Sequence, residues 1–151
     1  MMKFFNIEPI YAHCDIPCGI YDPHLAQVAA ITTLRMVDLI KGLEKEDPHK
    51  IARFTSVKEE HAELCKHEVR VLWGDYFKPE HAEKYPELHD LIWKIMKKAS
   101  AVRQGTDKAN ALQLIELVNK LAEIFWETKG VKTMKMKAPY PVEAEMVLPT
   151  A

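Results

Sequence analysis

Apolar residues recur at the 3.6-residue period over most of this chain, and four long segments carry the repeat. In the first, residues 23–43, Ala30, Leu34, Val37 and Ile40 form one stripe, while Leu25, Val28, Ile31 and Leu39 spill onto a second. A helix apolar over more than one stripe has more than one surface to cover. Asp22 is placed to cap its start, and Pro23 suits a first turn, where a missing N–H removes no bond. The second segment begins at Pro48, after Asp47, and reaches about Tyr76, with the stripe Phe54, Val57, His61, Leu64 and Val71. A short irregular piece comes next, containing Lys78-Pro79 and Lys84-Tyr85-Pro86. The third helix is predicted to open at Pro86 and to bury Leu88, Ile92, Ile95, Ala99 and Val102. The fourth begins near Thr106 or Asp107 and carries Ala111, Leu114, Val118, Leu121 and Phe125, with Gly130 suited to a left-handed terminal cap.

Four such helices with short connections predict an all-α chain, an antiparallel up-down four-helix bundle over residues 23–130. Glycine is scarce and the alternating β-branched pattern of strands is absent. Residues 131–151 hold three prolines and no consistent period, which predicts an extended arm or a disordered end. The first 22 residues also lack periodicity, and they hold the distinctive chemistry.

At 151 residues the chain fits one domain with a core of its own. Its charges nearly cancel, to a formal −1, so there is no basic excess to hold a phosphate backbone, and nucleic acid is not expected as a partner. No apolar run approaches the roughly 18 residues of a membrane span, so no membrane partner is expected either. The N-terminal MMKFFNIEPIYA lacks the apolar stretch of a secretory signal, which predicts a cytoplasmic protein. Three cysteines are too few for a disulfide framework. Cys65, expected on a helix, reads as a small buried hydrophobe.

Cys14 and Cys18, with His13 directly before the first, put two thiols and an imidazole within one tight loop. Pro17 fixes φ just before Cys18, and Gly19 lets the chain turn back just after it. Such a hook could wrap one ion, and sulfur with nitrogen donors suits Ni(II). From the residues alone, a disulfide, two ordinary thiols or a zinc site stay open, although structural zinc normally takes four protein ligands.

The run His13-Cys14-Asp15-Ile16-Pro17-Cys18-Gly19-Ile20-Tyr21-Asp22-Pro23 resembles the hook of the nickel superoxide dismutase family, H-C-D-x-P-C-G-x-Y-D-P. Further blocks are similar to the same family: Val71-Leu72-Trp73-Gly74-Asp75-Tyr76-Phe77-Lys78-Pro79, then Glu83-Lys84-Tyr85-Pro86-Glu87-Leu88-His89, then Ile124-Phe125-Trp126-Glu127-Thr128-Lys129. The resemblance implies that residues 1–12 are a leader removed by a maturation protease, so that the mature chain begins at His13. It implies nickel held by the freed amine, the backbone amide of Cys14 and the thiolates of Cys14 and Cys18, with the His13 imidazole axial. The activity implied is disproportionation of superoxide to dioxygen and peroxide, in a homo-oligomer, a hexamer by the family pattern.

By position, Tyr21 and Tyr76 match family tyrosines that border the site, Asp15 an aspartate that helps hold the hook, and Lys78 a lysine near the access channel. Read without the resemblance, the tyrosines are core-edge residues, Asp15 a turn residue and Lys78 a solvated charge. The sequence also departs from the family. Where relatives support the axial imidazole with an Arg and a Glu, this chain has His61 and Ala29. A metal-bound imidazole normally has such an outer partner, so His61 becomes the candidate replacement, against its reading as an ordinary bundle histidine. The family offers no counterpart for residues 131–151. The competing function is a non-catalytic metal-binding or thiol-redox bundle that keeps the hook.

Overall fold

A computed structural model describes residues 19–150, and most of them are helical. The elements run α1 (His24–Lys41), α2 (Pro48–Val71), a single π-helical turn (Leu72–Tyr76), α3 (Pro79–Lys84), α4 (Leu88–Gln104), α5 (Lys108–Thr128), β1 (Thr133–Lys137) and β2 (Glu145–Pro149). Each of the four long helices packs chiefly against two others, α1 on α2 and α5, and α4 on α2 and α5. Each therefore buries a broad stripe.

The helix starts obey local chemistry. The Asp22 carboxylate accepts the His24 N–H at 2.7 Å, Asp47 accepts that of Lys50 at 3.0 Å, and Asp107 accepts that of Ala109 at 2.9 Å. Each satisfies one of the donors that a helix N-terminus leaves unpaired. Gly130 adopts φ +70 after α5, a left-handed conformation that glycine enters without steric penalty.

The stripes expected for α4 and α5 are all buried: Leu88, Ile92, Ile95, Ala99 and Val102 on one, Ala111, Leu114, Val118, Leu121 and Phe125 on the other. In α1, Ala30, Leu34, Val37 and Ile31 are buried, but Leu25 of the second stripe is exposed. For α2 the expected stripe is wrong by a rotation of one residue. The buried positions are Lys58, Ala62, Cys65, Val69 and Leu72, while Phe54, Val57 and His61 are half-buried and Leu64 is exposed. The expectation followed the apolar residues, and a buried lysine had hidden the true face.

Lys58 ends against the last turn of α4, where its ammonium donates to the carbonyls of Val102 at 2.5 Å, Arg103 at 2.8 Å and Gly105 at 2.8 Å. Three donors meet three carbonyls at a helix C-terminus, the end whose dipole attracts a cation. Burial lowers the lysine's pKa from its ordinary value. Cys65 sits in the core as expected, and burial pushes its thiol up to about 12.

Two further corrections concern segments read as irregular. Residues 79–84 form the short helix α3, and α4 opens at Leu88 rather than at Pro86. The tail is an antiparallel hairpin, with Met134 opposite Leu148 and Met136 opposite Met146, and not a disordered end. Its strands escaped the period search because Met and Lys stand where β-branched residues would signal a strand. Met146 and Val147 are buried, and the hairpin packs on α5.

The outer edge of β2 is closed by side-chain amides. Gln27 of α1 donates from Nε2 to the Val147 carbonyl at 3.0 Å and accepts the Val147 N–H on Oε1 at 2.8 Å. Asn119 of α5 donates to the carbonyl of Glu145 at 2.9 Å, and Pro149 has no N–H to satisfy. Gln27 thus stands in for one residue of a third strand.

Gln27→Leu leaves both polar groups of buried Val147 without a partner, so a loss of about 1–3 kcal/mol is expected, read from urea unfolding of the full chain. With Cys14 and Cys18 replaced by serine, Cys65 is expected to resist a thiol reagent at pH 8 until denaturant is added, because its thiol stays protonated and enclosed.

Candidate metal centre

His13, Cys14, Asp15 and Cys18 lie outside the described residues, and the surroundings of the site begin at Gly19. Gly19 has φ +80, which lets the chain turn where a residue with a side chain would be strained. Tyr21 is half-buried, Asp22 caps α1, and Pro23 is buried. The segment entering α1 is therefore anchored within a few residues of Cys18.

Tyr21 meets Tyr76, with ring centroids 5.6 Å apart and planes inclined at 52°. Tyr76 ends the π-helical turn, where the Phe77 N–H reaches back to the Leu72 carbonyl at 3.0 Å. An i to i+5 turn widens the helix and redirects the side chains beyond it, and such turns concentrate at functional sites. The Tyr76 ring is enclosed by other rings. Phe125 lies at 4.5 Å, Phe77 at 5.2 Å edge-on, and His81 at 5.7 Å nearly parallel. Lys129 places its ammonium 5.5 Å from the Tyr76 centroid and 4.9 Å from that of Phe125, within the range of cation–π attraction. The Tyr76 hydroxyl lies 2.7 Å from Oγ1 of Thr128.

The other residues singled out from the sequence are placed separately. Lys78 is exposed at the N-cap of α3, and its backbone N–H donates to Nδ1 of His81 at 3.2 Å. His61 is half-buried on α2, with Nδ1 2.9 Å from the Val57 carbonyl one turn earlier. Fifteen residues of helix separate it from Tyr76, roughly 20 Å along the axis, so one chain does not bring His61 to the tyrosine pair. Ala29 is buried in the inner face of α1. Among the described residues no group of three or more His, Cys, Asp and Glu is placed to hold an ion.

The donor set of the hook suits nickel on its chemistry. Cys65 is enclosed and its thiol held protonated, whereas a metal-binding sulfur must be a thiolate. Cys14 and Cys18, next to an imidazole in the chain, are the remaining thiols of this sequence, and soft sulfur with nitrogen donors matches Ni(II).

Sequence reasoning missed the enclosure of Tyr76 by His81, Phe125, Thr128 and Lys129. The period assigned Phe125 to the core, and Thr128 and Lys129 read as helix-end residues. The available signal was the block Ile124–Lys129, which resembles the family without forming part of any stripe beyond Phe125.

Residues 8–129 match the family described as nickel-containing superoxide dismutase. The chain is 45% identical over 120 residues to the superoxide dismutase [Ni] of Streptomyces coelicolor, a match covering 80% of this chain and 90% of that protein. It is 43% identical over 120 residues to the enzyme of the same name from Streptomyces seoulensis, with the same coverage. Among solved structures, a native nickel superoxide dismutase superposes with a TM-score of 0.73 at 45% identity, over 78% of this chain and 99% of that one. A family match over residues 8–129, with relatives alike over nearly their whole length, shows that this chain belongs to the nickel-containing superoxide dismutase family.

Proposed function

We propose that this chain is a nickel superoxide dismutase, with its metal in a hook formed by residues 13–22 at the head of an antiparallel up-down four-helix bundle. One observation supports this beyond family membership. Tyr21, three residues after Cys18 in the chain, packs against Tyr76, so the two tyrosines assigned to the rim of the site are neighbours. The amine and imidazole of His13, the amide and thiolate of Cys14 and the thiolate of Cys18 would hold the ion. Bound nickel supplies two adjacent oxidation states, so that two superoxide ions and two protons yield dioxygen and hydrogen peroxide.

The protein's own residues do the rest. Tyr21 and Tyr76 border the site with apolar rings and polar ends, which exclude bulk water while leaving room for a small anion. Asp15 helps hold the hook. Lys78 presents a positive charge at the surface, where it would help steer superoxide. His61, which one chain holds away from the tyrosine pair, would support the axial imidazole through Nε2 only where another copy brings it to the hook. Residues 1–12 serve as a leader whose removal by a maturation protease frees the His13 amine. Exposed Leu25 and half-buried Val28 on α1 support burial against neighbouring copies, in keeping with a homo-oligomer, a hexamer by the family pattern. A cytoplasmic setting is part of the same proposal.

The test compares the full chain with one made to begin at His13, each incubated with nickel and assayed for metal content and superoxide removal. The expected result is one nickel per subunit and activity only in the shorter chain. Nickel without activity would favour the metal-binding or thiol-redox reading, and no nickel in either would overturn the assignment. Cys14→Ser and Cys18→Ser are each expected to abolish activity in the His13-initiated chain while leaving helical circular dichroism unchanged. A loss of helix in either variant would show that the hook and the core are not separable.

A further inference from the structure

The last turn of α5 holds Tyr76 through a hydrogen bond whose direction can be assigned. Oγ1 of Thr128 lies 2.6 Å from the Phe125 carbonyl and donates its only proton there, as serine and threonine do within a helix. The same oxygen lies 2.7 Å from the Tyr76 hydroxyl, and with its proton committed it can only accept. Tyr76 is therefore the donor. Four rings surround the Tyr76 side chain, Tyr21, Phe77, His81 and Phe125, and Thr128 fixes its polar end. Ring packing alone restricts a tyrosine's body, while its hydroxyl hydrogen still rotates about the C–O bond. A committed acceptor removes that freedom as well.

We infer that Thr128 is a positioning residue for the superoxide reaction: it fixes the orientation of the Tyr76 hydroxyl, and with it the surface that Tyr76 and Tyr21 present to the hook. This inference rests on the reading of Tyr76 as a residue bordering the site. Threonine is suited to the task because it can donate to its own helix and accept from a neighbour at the same time. Valine has the same shape and offers neither, and serine offers both.

The experiment is a double-mutant cycle in the nickel-loaded mature enzyme, with Thr128→Val, Tyr76→Phe and the two combined, and with Thr128→Ser as the conservative control. Losing one net hydrogen bond corresponds to roughly a 2- to 10-fold change, so Thr128→Val is expected to lower superoxide removal by about that factor. Thr128→Ser is expected to restore it. In the Tyr76→Phe background, Thr128→Val is expected to have no further effect, because the bond it breaks is already gone. An independent reading uses the metal-free full chain carrying isotope-labelled tyrosine: Thr128→Val should shift the ring resonances of Tyr76 and its neighbour Tyr21 and leave Tyr85 and Tyr140 in place. An equal loss from Thr128→Val in both backgrounds, or resonances that do not move, would overturn the inference while leaving Tyr76 at the site. Full activity in Tyr76→Phe would remove Tyr76 from the site, and the inference would fall with it.

Discussion

The arrangement depends first on how α1 lies against α2. The buried face of α1 is built largely from small residues, Ala26, Ala29, Ala30 and Thr33, and that of α2 includes Ala62 and Cys65. Small side chains let two helices approach closely and leave little freedom to slide, because a well-packed interior resists even a one-methylene change. The 42–47 connection folds α2 back along α1, so the start of one helix lies beside the end of the other. The contact between Tyr21 and Tyr76 is a consequence of that register. A shift of one helical turn, about 5.4 Å, would separate the two rings.

Three polar residues inside the fold work in one way. Lys58 supplies donors to the last carbonyls of α4, Gln27 pairs with both polar groups of Val147, and Asn119 serves the carbonyl of Glu145. In each case a side chain completes backbone that helix or sheet geometry would leave unpaired, and an unpaired buried backbone group costs more than a typical hydrogen bond contributes. These residues stitch neighbouring elements together without adding a polar network to the apolar core. Gln27 and Asn119 also explain how residues 131–150, which lie beyond the family match, attach to helices that belong to it.

The same residues mark where the sequence could be read and where it could not. The stripes of α4 and α5 were legible because each position expected there is apolar, buried and three or four residues from the last. The face of α2 was misread because its buried stripe contains Lys58, while Phe54, Val57 and Leu64 lie partly in solvent. Hydrophobic period alone cannot find a lysine that is buried because three carbonyls surround its ammonium. The hairpin was illegible for a related reason, since its outer edge is paired by side chains far off in sequence, above all Gln27, 120 positions from Val147. The expected donors His13, Cys14 and Cys18 lie outside the described residues; the hook motif pointed to Tyr21 and the block of residues 71–79 to Tyr76, and the structure brings those two rings together. The supporting role of Thr128 was not visible, because a threonine at a helix end has the same appearance whether or not a phenol donates to it.

Cys65 shows what burial in this core does to a thiol. Enclosed among apolar side chains, its thiol is pushed up to about 12 and stays protonated through the physiological range. A ligating sulfur has to give up that proton, and metal affinity falls wherever the protein makes the loss difficult. Cys65 is therefore unsuited to ligation, which leaves Cys14 and Cys18, ahead of α1 in the sequence, as the thiols that could bind a metal. The described surface nearest to Cys18 in the chain is the tyrosine pair, with apolar rings and with the Tyr76 hydroxyl held by Thr128. The helical core brings Tyr21, Tyr76 and Thr128 within reach of one another where α1 begins, the π-helical turn ends and α5 makes its last turn.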